Sequence, residues 1–218
     1  MGGGPVPTGN GAATALRASE LEQQRVQRTM MESRLAVLRA RVEPEFLFAA
    51  LGDVRSLYQR DGAAADEMLD ALIVYLRAAL PQMRGEASTI GREIELVGAY
   101  VGVLQVPRRA VLQCEARAAI DVRETELPPM VLLPLAQAAF ADGEADRRRR
   151  FVIAADAIDD GVFVRIEVAG GALPDAWRGQ GPETVVRTLR AYFGTAAALR
   201  FASAGDVHGA ELRLLPSV

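Results

Sequence analysis

The sequence predicts an α+β protein: a helical hairpin, then helices on one face of a mixed sheet. Three observations predict it. Apolar residues in the first half recur at steps of three and four, from Met31 to Ala49 and from Leu69 to Leu80. Beyond about residue 110, strand-like alternation and helical spacing take turns. Glycine and proline fall between these segments and punctuate them. A chain of 218 residues, 50% hydrophobic and 24% charged, has the composition of an ordinary globular protein with one large or two modest domains. Its net charge of −3 supplies no footprint for nucleic acid. A single cysteine, Cys114, excludes an internal disulfide framework and fits a reducing cytosol, so a cytoplasmic location is expected. No apolar run nears the length of a membrane span, and the start lacks a charged region followed by an apolar one.

Residues 1–13 are Gly/Pro-rich without periodicity and read as a disordered leader. Residues 14–84 read as a coiled coil and a helical hairpin. Leu16, Leu21, Val26 and Met30 or Met31 make a thin apolar seam on a polar helix, which needs a partner to stay helical. A second copy in a coiled coil is the expected partner. The stripe Met31, Leu35, Leu38, Val42, position 45 and Ala49 continues the helix. Pro44 cannot donate to the carbonyl of Ala40, which predicts a bend there. Glu45 then sits beside the bend, on or at the rim of the apolar face. After Asp61-Gly62 a second helix begins near Ala64, carries Leu69, Ile73, Leu76 and Leu80, and is stopped by Pro81.

Residues 85–218 carry the mixed part. Ser88 or Thr89 caps a third helix with Ile94, Leu96, Val97, Tyr100, Val101 and Leu104, ended by Pro107. Leu112, Cys114 and Ala116 share one face of a strand. Pro128-Pro129 open a helix running to about Ala141. Residues 151–156 and 162–168 form a hairpin turned at Asp160-Gly161, with Val162, Val164, Ile166 and Val168 facing one way. A helix from Pro182 carries Val185, Leu189 and Tyr192 and stops at Gly194. Two closing strands hold Leu199 and Phe201, then Leu212 and Leu214, around a turn containing Gly205 and Gly209.

The segment Pro44-Glu45-Phe46-Leu47-Phe48-Ala49 resembles the Pro-His-Phe-Leu-Phe-Asn motif of LytS-type sensor histidine kinases, with glutamate for the phosphoacceptor histidine and alanine for asparagine. The resemblance covers nearly everything after residue 30. It implies a dimeric four-helix bundle built from two hairpins, followed by a GHKL-type (Bergerat) α/β sandwich with a mixed sheet. In the first ATP box, Pro128 to Gly143 keeps the family's packing residues and prolines. Ala138, however, stands where the magnesium-holding asparagine would be, Gln137 where the glutamate would be, and Ala141 where the lysine would be. In the next box, Val168-Ala169-Gly170-Gly171-Ala172-Leu173, Ala169 replaces the aspartate that accepts from adenine and Leu173 replaces the last glycine. Losing a charged hydrogen bond in a buried pocket typically costs roughly 1.5–3 kcal/mol. With the metal ligand also gone, ATP affinity is expected to fall on the order of a hundredfold or more. Gly179 and Gly181 keep the frame of the last box and are the remaining candidates for residual phosphate contact. Pro182 removes one N–H there, and Glu183 places a negative charge at the helix start.

The expected protein is therefore a degenerate kinase without a bound cofactor: ATP and magnesium binding weak or absent, no catalytic residue, no metal site. It would act as a homodimeric scaffold that meets a response regulator or an active histidine kinase. Two alternatives stand beside it. One is residual nucleotide binding or ATP hydrolysis; the other is a binding module that uses the vacated pocket for a different small molecule. Glu45 reads either as a fixed charge imitating phosphohistidine or as a solvated carboxylate. His208, the only histidine, is expected in an exposed Gly-rich loop, and Arg147 to Arg150 in a solvated one. Trp177 falls where an ATP lid would lie, as a plug over the pocket or as ordinary packing.

Overall fold

In the computed structural model, residues 44–83, 87–108, 111–141, 148–170 and 180–215 are described. The expected leader, the coiled coil before residue 44, Gly143, Arg147, Gly171, Leu173, Trp177 and Gly179 lie outside them. So does the turn preceding Pro44, where the bend was expected.

The sheet has five strands in the order β2-β4-β5-β7-β6, formed by β2 (Leu112–Ala118), β4 (Arg149–Ile158), β5 (Gly161–Ala169), β6 (Ala197–Ala204) and β7 (Val207–Leu214). Strands β2 and β4 run parallel, and every other pair is antiparallel. The α+β class with a mixed sheet is what the alternation predicted. Register places Phe151, Ile153, Ala155, Val164, Ile166, Val168, Ala210 and Leu212 in the core. The opposite face is laced with charge: Arg117 pairs with Asp156 at 2.7 Å, Arg150 with Glu115 at 3.1 Å and Arg165 with Glu167 at 3.4 Å. Val152 and Ala154 on that face are nonetheless buried. A two-residue ladder, β1 (Ser88–Thr89) against β3 (Glu126–Leu127), closes the start of the third helix.

Helices α3 (Ile90–Gln105), α4 (Leu133–Phe140) and α5 (Gln180–Phe193) contribute to the same core. Thr89 caps α3 by accepting from the Arg92 amide at 3.4 Å, and α3 gives way to a single 3₁₀ turn containing Pro107. Helix α5 begins at Gln180, two residues ahead of the expected Pro182. It buries Val185 and Leu189 but leaves Tyr192 exposed, and Gly194 ends it at φ 61°. The region after Pro128-Pro129 departs further from expectation. Residues 128–132 form turns, with Met130 in the left-handed region at φ 59°, and the helix starts only at Leu133. Pro134 therefore lies in its first turn, where no N–H is needed.

Helices α1 (Pro44–Tyr58) and α2 (Gly62–Met83) form the hairpin and pack onto α3. Phe46, Tyr75 and Tyr100, one from each helix, meet at ring-centroid distances of 4.8 to 6.1 Å. The inward face of α1 is Phe46, Leu47, Ala50, Val54 and Leu57. Positions 45 and 49, assigned to the apolar stripe by spacing, point outward. On α2 the buried set is Ala65, Met68, Leu72, Tyr75 and Ala79, whereas Leu69, Ile73 and Leu80 of the predicted stripe are exposed. Helix α2 also runs past Pro81 to Met83, since a proline in the last turn forfeits only one hydrogen bond.

Candidate functional site

Glu45 lies in the first turn of α1, exposed to solvent. The described residues of α1 are helical from Pro44 onward. A carboxylate in the first turn is favoured by the helix dipole. It cannot do what an imidazole nitrogen does toward phosphorus.

Helix α4 is held at its C-terminal end by Arg149, whose Nη1 donates to the Ala139 carbonyl at 3.1 Å, and by Phe140 against Phe151 with centroids 5.4 Å apart. Arg149 is buried on β4, so this part of the arginine run is structural rather than a solvated loop. Arg150 pairs with Glu115 on the open face of the sheet, and Arg148 is exposed. Ala138 is buried on α4, Gln137 half-buried and Ala141 exposed just past its end. Ala169 closes β5 opposite Val207. At Ala138 and Ala169 the side chain is a methyl group, which offers neither an oxygen ligand to a hard cation nor an acceptor to an amino group. Among the described residues, no group of three or more His, Cys, Asp or Glu is arranged to hold a metal. The side chains at these positions therefore do not fit a magnesium nucleotide held in the expected way.

Gly181 falls within the first turn of α5 rather than in a turn ahead of it. The helix start there lacks the Pro182 amide and carries an exposed Glu183. His208 was expected in an exposed loop, but it is buried in β7, where Nδ1 lies 3.0 Å from Ser203 Oγ. The strand runs on through Gly209, leaving the turn to Gly205 at φ 64° and Asp206. Burial beside Glu115 pushes the Cys114 thiol up to about 11, which keeps it protonated and unreactive.

Sequence reasoning missed Glu93. It sits in α3 with no exposed surface, accepts from Ser88 Oγ at 2.8 Å and the Met130 amide at 2.8 Å through Oε1, and from the Leu132 amide at 3.1 Å through Oε2. Desolvation raises its pKa to about 7, against the opposing pull of these bonds. The available signal was its place, three residues after Ile90 and seven before Tyr100, inside the apolar stripe.

The sequence model of the histidine kinase family matches residues 33–109. Sensor histidine kinase BtsS of Escherichia coli K12 is 27% identical over 193 residues, which is 85% of this chain and 34% of that protein. Sensor protein LytS of Staphylococcus haemolyticus is 26% identical over 203 residues, covering 84% of this chain and 34% of that protein. The chain thus spans about a third of the length of these relatives. Among solved structures, the 1.7 Å structure of a bacterial phosphotransferase shares the fold, with TM-score 0.52 and 11% identity over 83% of this chain and 96% of that one.

Proposed function

The chain resembles the LytS-type sensor histidine kinases, and on that premise we propose that it keeps the architecture of a two-component sensor kinase without autophosphorylating. It serves as a cytoplasmic homodimeric scaffold whose hairpin meets a response regulator or an active kinase. The observation that supports the reading is the exposed Glu45, which the resemblance matches to the phosphoacceptor histidine. Attack on a γ-phosphate needs a nucleophile that forms the phosphoramidate of the family, and a carboxylate would form an acyl phosphate instead. Ala138, Ala169, and the Pro182 and Glu183 pair at the start of α5 weaken nucleotide binding independently of position 45.

The test is incubation of the purified chain with γ-labelled ATP and magnesium. No label on the chain is the expected result. Label that appears and is lost on Glu45→Ala would overturn the proposal.

A further inference from the structure

We infer that Gln82 and Glu93 form a buried polar latch that carries displacement of the last turn of α2 to the loop in front of α4. The Met130 amide is the shared point. It donates to Gln82 Oε1 at 2.9 Å and to Glu93 Oε1 at 2.8 Å, so α2 and α3 grip one N–H of the loop together. Gln82 also donates through Nε2 to the Arg92 carbonyl at 3.3 Å, tying α2 to α3 directly beside Glu93. Both side chains are buried, Gln82 at 3% exposure and Glu93 at 0%. In a buried network of this kind a polar group that loses its partner is costly to leave unpaired, which couples its members.

The loop is the element that would respond. Met130 is the one non-glycine residue at positive φ among the described residues, a conformation that a side chain adopts only where its surroundings hold it. The holding comes from Gln82 and Glu93 at the Met130 amide, and from Glu93 again at the Leu132 amide. Leu132 is the residue that leads into α4, and its carbonyl accepts from the Leu135 amide at 3.1 Å. Loss of the grip on Met130 frees the backbone to leave the left-handed region, which changes where α4 begins. Ala138 lies on that helix, so the hairpin and the vacated nucleotide position share one hydrogen-bonded connection. The latch operates whatever α4 meets, and it does not depend on the absence of phosphotransfer.

Hydrogen exchange of the full chain, without nucleotide, tests this. Gln82→Met keeps the volume and removes the hydrogen bonds to the Met130 amide and the Arg92 carbonyl. It should raise exchange across residues 130–140 about tenfold, the scale of one hydrogen bond, while residues 151–168 of the sheet stay unchanged. Glu93→Gln should raise exchange over the same segment at least as much, because a carboxamide keeps one accepting oxygen and turns its NH2 group, a donor, toward a former donor. Exchange that rises only within residues 78–92 in Gln82→Met, or equally in the sheet, would overturn the latch.

Discussion

At the scale of single residues, a carboxylate with no exposed surface is governed by what surrounds it. Glu93 is met by one hydroxyl and the backbone amides of residues 130–132, and no cation is among the causes of its shift. Its pKa rises from the usual carboxylate value to about 7 because burial disfavours the charge more than the amides favour it. The folded state therefore binds this proton more tightly than the unfolded chain does. The resulting stabilisation is fully present below about pH 4.5 and is lost as pH rises to about 7, after which it is flat. The loss is on the order of 3 kcal/mol. Denaturant titrations at a series of pH values should show this slope, and Glu93→Gln should flatten it between those limits. Position 45 offers a second test at the same scale. Glu45→His restores the imidazole but leaves Ala138 and Ala169 untouched, so it is expected to gain no label from γ-labelled ATP. Label on this single variant would show that nucleotide still reaches the hairpin.

Among the elements, those whose identity rests on period and punctuation were legible in the sequence. The β4–β5 hairpin follows from alternation around Asp160-Gly161, and α3 from its cap and stripe. What could not be read was which of two apolar faces on a helix turns inward. Spacing assigns Leu69, Ile73 and Leu80 as readily as Met68, Leu72 and Tyr75, and tertiary contact with Tyr100 and Phe46 selects the second set. The late start of α4 was hidden as well, because the grip of Glu93 on the preceding loop comes from thirty-odd positions away in sequence. His208 looked like a loop residue because two glycines flank it closely, yet Gly209 is an ordinary strand position opposite Glu167. The same comparison makes Gly161 specific. It sits at φ 142°, and a Cβ there would come within 2.0 Å of the Leu214 carbonyl oxygen. Gly161→Ala should therefore cost roughly 1–3 kcal/mol or more in a denaturant midpoint, through backbone strain and a clash in the β5–β7 ladder. Gly205→Ala, with open space around its Cβ, should cost less despite φ 64°.

For the molecule as a whole, the hairpin leaves more apolar surface uncovered than its own packing requires. Phe48 is 73% exposed, Val74 55%, Leu51 48%, Leu80 47% and Ile73 41%, all on α1 and α2. Apolar residues scattered singly on a surface need no explanation, but stripes repeated along both helices of a hairpin do. The inward faces of the same helices pack on α3, so among the described residues the outer stripes stay uncovered. The homodimer proposed above would cover them with a second hairpin about a twofold axis, in a four-helix arrangement. A charge placed in that seam would be buried against its own copy, with like charges brought together and no counterion. Ile73→Glu should thus weaken dimerisation by about a hundredfold or more while leaving the α1–α2–α3 core intact, since Ile73 is not part of it. Sedimentation velocity over a concentration series would read the shift from dimer to monomer. The melting temperature of the unaltered chain should rise with concentration, and that dependence should vanish in the variant. An unaltered chain that sediments as a monomer at the highest concentrations would show that the outer stripes serve a different partner, and would remove the twofold scaffold from the proposal.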